Sequence, residues 1–484
     1  MRSISKSSVA RRVAVVMGAL VIGWSMVDAP VQPSGAAAAA VFACGWGSFG
    51  AEDRDLVVGV PSAGRGGVVD IHPEWGGSRL LSLPFERTND RFGAAIGVVG
   101  LDGDSCNDLV VGASGRGGAG LGRTGAVYLF FSTASGPGTG ARVRLPYAGF
   151  PGDGFGSSVA VEGRRWAPRG EQVVGDVRIW VGIPGRDVAG HVDAGAVAYY
   201  KVTAGGQVSG PTLYTQNSPG VPGTAEAGDR FGQVLEPLPS GVLVGTPRED
   251  VGSKTDAGMI TALPAPGATP AGPGPYAASE DTPGIPGAAE AGDCFGAAVS
   301  GSWVGTPGED VGTVRDVGMV HRLAVWAHSF RSLGYVSQNS PGIRGANEPG
   351  DTFGASLQAG PLSDSCYGVV AIGVPGEDIG DVKDGGRVAM YAVNAGDPFC
   401  SASFSRGPDA REGDRVGAVL SRLEGDVQDG STVLIGIPGQ DLGGSHDAGA
   451  VQSWPGGRTF TLSGGSLPGI RYGSVIARFA LGYS

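Results

Sequence analysis

Three short landmarks recur in a fixed order along this chain, seven times over, and repetition of that kind constrains the fold before composition is consulted. The first is a Phe-Gly pair, usually just after Gly-Asp. It stands at Phe92, Phe155, Phe231, Phe295 and Phe353, with weaker forms at Val416 ("GDRVG") and Tyr472 ("IRYG"), spaced by 56 to 76 residues. The second is an apolar run ending in Gly-x-Pro or a near match, from "LVVGVP" (Leu56–Pro61) to "VLIGIP" (Val433–Pro438). The third is a glycine opening another apolar run, as in "GAVAYY", "GMITAL", "GMVHRL" and "GAVQSW". A looser fourth strand follows in most units, "SRLLSL" (Ser78–Leu83) being one.

Each unit thus holds four short strands rich in Val, Ile, Ala and aromatic residues, cut by turn residues. The 90 glycines and 33 prolines among 484 residues supply those turns, and the lack of a strict Gly-X-Y period excludes a collagen helix. One four-stranded unit buries too little surface to stand alone, whereas seven set radially bury their faces on each other. The expected fold is all-β, a seven-bladed β-propeller of four-stranded antiparallel blades. The first unit passes almost directly from Phe49-Gly50 to its second strand, and the last landmark opens a strand with nothing after it. Arg471–Ser484 is therefore expected to supply the innermost strand of blade 1, closing the ring and removing an exposed sheet edge.

The ordered landmarks resemble the FG-GAP repeat, the blade unit of the integrin α-subunit propeller, and are most similar to those of secreted bacterial FG-GAP proteins. The resemblance rests on stretches such as "GANEPGDTFG", "PGEDVGTVRDVG" and "GAVQSW" and extends over about residues 45–484. It implies a seven-bladed propeller at 41–484, calcium in inter-strand loops, and extracellular adhesion or recognition. Family calcium loops place oxygen ligands at loop positions 1, 3, 5 and 9, with a main-chain carbonyl at 7. Carried onto "GLDGDSCNDLVVG" (Gly100–Gly112) of blade 2, this implies Asp102, Asp104 and Asp108 as metal ligands, with the carbonyl of Cys106 and with Gly100 where the first acid would stand. Alternating acids in a turn suit a hard cation that takes six to eight oxygens. Ca2+ is the implied cofactor, in blade 2 and at "EGDVQDG" (Glu424–Gly430) of blade 7. The other blades depart from the pattern. Blade 1 keeps Glu52, Asp53 and Asp55 in a shortened loop, blade 6 keeps Asp364, and blade 3 carries "EGRRWAPRGEQ" (Glu162–Gln172), whose arginines oppose a cation.

Acids concentrate instead in two other loops. One precedes Phe-Gly and holds Glu226 and Asp229, Glu290 and Asp293, Glu348 and Asp351, Glu412 and Asp414. The other follows Gly-x-Pro, as in "PREDVGSKTDAG", "PGEDVGTVRDVG" and "PGEDIGDVKDGG", and holds Asp250, Asp310 and Asp378. In a four-stranded meander these two loops open on one face and the calcium-type loops on the other, so both acid families should crowd one rim. Two readings are open. Asp caps turns through its own backbone while Gly supplies positive φ, or the rim is a surface for a cationic ligand or a divalent ion. Repetition of pairs such as Glu309-Asp310 in several blades favours the scaffold.

At the N-terminus Arg2, Lys6, Arg11 and Arg12 precede an apolar core (Val13–Val27) and the small residues Ala36–Ala40, which reads as a signal peptide at 1–40. Cleavage there removes four bases and Asp28, taking the net charge from −11 to −14, a poor balance for a nucleic-acid partner. Export permits disulfides. Cys366–Cys400 and Cys44–Cys106 are the expected pairs, leaving Cys294 as the free thiol, although spacing alone does not fix connectivity.

Catalytic signatures are absent from the sequence. There is no Gly-x-Ser-x-Gly, no His-Glu-x-x-His, and no second domain; the five histidines are scattered, with His321 and His446 reading as ordinary strand or loop residues. The expectation is a secreted, monomeric, calcium-stabilised binding or adhesion module for an extracellular protein or glycan, without nucleic-acid partner, membrane span or enzymatic activity. The alternative is a secreted hydrolase or glycan-acting enzyme on the same scaffold. That alternative predicts one blade departing from the rest, and blade 3 with its basic insertion is where the departure is expected.

Overall fold

The computed structural model describes residues 55–479 apart from 73–77, 85–86, 105, 118–121, 134, 164–175, 240, 268–273, 327–328, 361–367, 394–402, 407–408, 424–431, 464, 466–467 and 477. The signal segment 1–40, Cys44, Glu52, Asp53, Asp364, Cys366, Cys400 and the blade 7 loop Glu424–Gly430 all lie outside the described residues. Among the described residues every regular element is a β-strand. Blade 1 contains β1 (Leu56–Val60), β2 (Val68–His72) and β3 (Arg79–Leu81). Blades 2 to 7 follow in chain order as β4–β7 (92–144), β8–β11 (159–214), β12–β15 (234–278), β16–β19 (298–336), β20–β23 (356–404) and β24–β27 (419–460). The result is the seven-bladed propeller that the repeats require.

The ring closes as the complementary ends demand. β28 (Val475–Ile476) pairs antiparallel with β1, setting Val58 opposite Ile476 and Gly59 opposite Val475. The chain then goes one step further than expected. β29 (Arg478–Phe479) runs parallel beside β4 (Phe92–Val99), so the C-terminal segment spans the inner edges of blades 1 and 2.

Each inner sheet is sandwiched between two others, which explains apolar runs without polar alternation. β5 (Asp108–Ala113), β13 (Gly241–Thr246) and β21 (Val369–Val374) are buried along their whole length, while the outer strand β11 (Val208–Tyr214) is mostly exposed. The core is accordingly a set of wedges between neighbouring blades. Leu243 and Ile260 of blade 4 pack with Phe295, Val299, Val304 and Leu323 of blade 5, and Leu434 and Val451 of blade 7 meet Val58 and Val60 of blade 1 through Tyr472. Burial of one such large apolar side chain contributes about 2–3 kcal/mol.

The three sequence landmarks are three parts of one joint. Phe295 is fully buried and its backbone bridges in parallel to Gly258, the glycine that opens the third strand of the preceding blade. The Gly-x-Pro glycine of blade 5, Gly305, faces Gly354 of blade 6 so closely that a Cβ on it would lie 2.1 Å from the Gly354 carbonyl oxygen. Gly354 itself sits at φ 92°, open to glycine and costly for other residues.

Candidate functional site at the rim of blade 5

The two acid-bearing loop families meet on one rim, as the meander dictates. The Phe-Gly loop of each of blades 4 to 6 hydrogen-bonds to the loop between strands two and three of the preceding blade, with Arg230 N–H donating to Asp193 O, Cys294 N–H to Asp256 O and Thr352 N–H to Asp316 O, each at 3.0 Å.

Most of these acids serve the turns. Asp187, Asp250, Asp310, Asp378 and Asp441 each accept, through Oδ1, the backbone N–H of the residue six positions on, at 2.9 to 3.1 Å. The receiving residues, Asp193, Asp256, Asp316, Asp384 and Asp447, hold φ between 49° and 54°, a left-handed conformation that Asp tolerates better than most residues. In the Phe-Gly loops, Asp229, Asp351 and Asp414 accept the backbone N–H three residues earlier at 2.6 to 2.7 Å, and Asp293 does the same with Glu290.

Those capping aspartates are buried, and a buried carboxylate needs compensation. Blades 2, 3 and 7 supply it with arginine: Arg116 pairs with Asp90, Arg186 with Asp153 at 3.1 Å and Arg406 with Asp414 at 2.6 Å. In blades 4, 5 and 6 the place of Arg116 and Arg186 is taken by a buried glutamate, Glu249, Glu309 or Glu377. A glutamine satisfies two of them. Gln216 Nε2 donates to Glu249 Oε2 and Gln338 Nε2 to Glu377 Oε2, both at 2.5 Å, and Arg387 adds an ion pair to Glu377 at 3.0 Å.

Blade 5 differs. At the position of Gln216 and Gln338 it has Glu280. Glu280, Asp293 and Glu309 are 2%, 1% and 7% exposed, and carboxylate oxygens of all three lie within 4.8 Å of one another. His321, on β18 (Met319–Trp326), is fully buried, with Nε2 2.9 Å from Glu280 Oε1 and its ring edge against Phe295 at 5.3 Å. Its counterparts are Thr261 in blade 4 and Ala389 in blade 6. Glu280 Oε2, Glu309 Oε2 and His321 Nδ1 are buried without a hydrogen-bond partner. Burial, with the charges of Glu280 and Glu290 beside it, pushes the Asp293 carboxyl up to about 7; burial and the charges of Glu280 and Asp293 push Glu309 up to about 8.

Sequence reasoning missed this centre. His321 is not the ordinary strand residue that its scattered sisters suggested, and Glu280 was not singled out. The signal was present: "SED" at Ser279–Asp281 replaces "TQN" at Thr215–Asn217 and "SQN" at Ser337–Asn339. Among the described residues the departure lies in blade 5; most of the insertion in blade 3, where it was expected, lies outside the described residues.

In the blade 2 loop the acids that the family pattern selects mainly hold the turn, and among the described residues they do not form a three-carboxylate cluster like that of blade 5. Leu101 N–H and Ser132 N–H donate to the buried Asp108 at 2.6 and 2.7 Å, Asp104 N–H to Asp102 Oδ1 at 3.1 Å, and Cys106 N–H to Asp104 Oδ1 at 2.8 Å. Burial and the neighbouring Asp102 charge raise Asp104 to about 6 and Asp108 well above the usual carboxylate range. Cys106 is disulfide-bonded and Cys294 is a free thiol.

No family model and no curated protein matches the chain. Solved structures similar over most of its length include a lectin from Burkholderia pseudomallei (15% identity, 87% of this chain and 97% of that one, TM-score 0.46). A candidate 6-phosphogluconolactonase from Bacteroides fragilis has 10% identity, 88% and 97% coverage and a TM-score of 0.44. The periplasmic gluconolactonase of Pseudomonas aeruginosa has 13% identity, 86% and 96% coverage and a TM-score of 0.40. None of the three carries an FG-GAP name, so that resemblance is carried by the repeat landmarks alone. The expectation that the chain is not an enzyme is corrected here. Two of these structures carry lactonase names, and want of a second domain is no ground for excluding catalysis. Among the described residues no helix is long and apolar enough to cross a membrane.

Proposed function

We propose that the protein is an exported propeller that takes a carbohydrate-class ligand at its acid-rich rim, with hydrolysis centred on blade 5. One observation carries this reading: blade 5 alone, among the described junctions, replaces a neutral donor or an arginine with a third buried carboxylate and a histidine. Hydrolysis of a glycosidic or lactone bond needs one group to deliver a proton and another to take one from water, and neighbouring carboxylates do both. Glu309 and Asp293 are the groups assigned to proton transfer, and Glu280, held by His321, is a positioning residue. The lectin and lactonase names among the structural neighbours supply compounds to screen and carry no more than that. Secretion through the 1–40 segment, a monomeric state and calcium held by Asp102, Asp104, Asp108 and the Cys106 carbonyl belong to the same proposal.

The test is turnover by the chain from residue 41 onward on a panel of aryl glycosides and aldonolactones. The expected result is activity that falls by about a hundredfold or more in Glu309→Gln and persists in Asp310→Asn. Silence across the panel, or an unchanged Glu309→Gln, overturns the hydrolytic reading. A second reading, extracellular binding without turnover, draws on the repeated outward-facing aspartate turns of the same rim. A glycan array and a matrix-protein pull-down with the triple charge reversal of Asp250, Asp310 and Asp378 address it; binding unaffected by the reversal sinks it.

A further inference from the structure

We propose that Glu280, Asp293 and Glu309 hold a hard divalent cation that ties blade 4 to blade 5 at the rim. Glu280 lies just beyond the outer strand β15 (Tyr276–Ala278) of blade 4, Asp293 on the Phe-Gly loop, and Glu309 on the loop between β17 (Trp303–Thr306) and β18 of blade 5. The inference concerns the same residues as the hydrolytic reading and does not depend on turnover.

The sister blades show what this position is for. In blades 4 and 6 a glutamine amide nitrogen fills it and donates to the buried glutamate opposite. A glycine backs the side chain in all three blades. A Cβ on Gly223 or Gly345 would lie 2.8 Å from the amide nitrogen of Gln216 or Gln338, and one on Gly287 would lie 2.7 Å from Glu280 Oε1. Glu280 therefore occupies the space of the glutamines, but brings a negative charge where they bring a donor. Glu309 Oε2 is left buried and unpartnered, and so is Glu280 Oε2. Among the described residues, no lysine or arginine ion pair reaches any of the three acids. A cation between them restores what the amide supplies in blades 4 and 6, and neutralises the third carboxylate as well.

His321 completes the arrangement from outside. Its Nε2 holds Glu280 Oε1 and fixes the carboxylate in place while Oε2 has no hydrogen-bond partner, the way a ring N–H orients a ligating carboxylate. Donors that are all carboxylate oxygen select calcium, magnesium or manganese over softer ions. The site differs from the blade 2 loop, which joins strands one and two and opens on the opposite face.

The experiment uses the chelator-treated chain from residue 41 onward, titrated calorimetrically with Ca2+, Mn2+ and Mg2+, with melting temperature followed in parallel. Asp102→Asn with Asp104→Asn silences blade 2, and Glu280→Gln is added to that background. Glu280→Gln is expected to fold, since glutamine is what blades 4 and 6 carry there. The expected result is cation binding and a raised melting temperature that survive the blade 2 change, and an affinity about a hundredfold weaker once Glu280→Gln is added. Glu309→Gln in the otherwise unaltered chain, losing one binding event, gives an independent check. No cation response in the blade 2 background, or a response indifferent to both Glu280→Gln and Glu309→Gln, overturns the inference. Calorimetry and turnover together separate the two proposals: turnover without cation binding in the blade 2 background leaves the first standing while the second falls, and cation binding without turnover on the panel does the reverse.

Discussion

Blades 4 and 5 follow the same plan turn for turn, and two of the exchanges between them change the buried rim: Gln216 becomes Glu280 and Thr261 becomes His321. In blade 4 an amide settles Glu249. In blade 5 that amide is gone, and three acids and a histidine share one buried space. Blade 3 marks the other extreme, where Arg186 meets Asp153 directly and also covers the ring of Phe150 at 4.7 Å. In a repeat protein the shared landmarks carry the backbone, so a buried residue that differs between copies is where one copy acts individually.

The largest effect expected from breaking this comparison is at the arginine end. Arg186→Ala leaves Asp153 buried without its cation and should cost about 3–5 kcal/mol, read as a drop in the urea midpoint. A loss below about 1 kcal/mol would show that Tyr147 and the Phe150 N–H, which donate to Asp153 at 2.6 and 2.7 Å, suffice without the arginine. Next comes conversion of blade 4 into blade 5. Gln216→Glu with Thr261→His should destabilise the chelated protein by about 2–3 kcal/mol and make its melting temperature respond to calcium at that blade. A melt unmoved by calcium would mean that the two residues do not carry the difference.

A milder probe is pH. Burial holds the Glu249 carboxyl up at about 8 against an ordinary 4.5. Between those values the unfolded chain releases a proton that the folded chain keeps, so this group's contribution is full below about pH 4.5 and is lost as pH rises through 8. Glu249→Gln should flatten that fall in denaturant midpoints taken from pH 4.5 to 8.5, and an unchanged slope would assign it elsewhere. The smallest effect belongs to the outward acids. Asp310→Ala removes one turn hydrogen bond, at about 1 kcal/mol, and should leave cation binding at blade 5 intact.

The fold was legible because its signals are local and repeated. A Phe that fills a wedge, a glycine at positive φ and a glycine pressed on a neighbouring backbone each leave a mark within a few residues. The ring closure was legible from two incomplete ends. The blade 5 centre was harder to see for two reasons. Glu280 and His321 lie 41 residues apart, in different blades. What sets them apart is also a departure between copies, and a search for repeats smooths departures away. The stretch Gly305–Val320 shows both sides at once. Asp310 faces outward as scaffold, as its recurrence suggested, while its neighbour Glu309 turns inward to a site that recurrence concealed.

The C-terminal clasp has a consequence for timing. Ser62 Oγ hydrogen-bonds to the carbonyl of Ile470, 408 positions later, and β1 finds its inner partner in Val475–Ile476. The joint that makes the ring a ring therefore depends on segments 408 positions apart in the chain. Until that pairing forms, blade 1 keeps a raw edge, and contacts of such long range form slowly. A chain cut short by a dozen residues would keep most of its blades yet never close the circle. Closure thus makes the two most widely separated parts of the described chain hold each other in place.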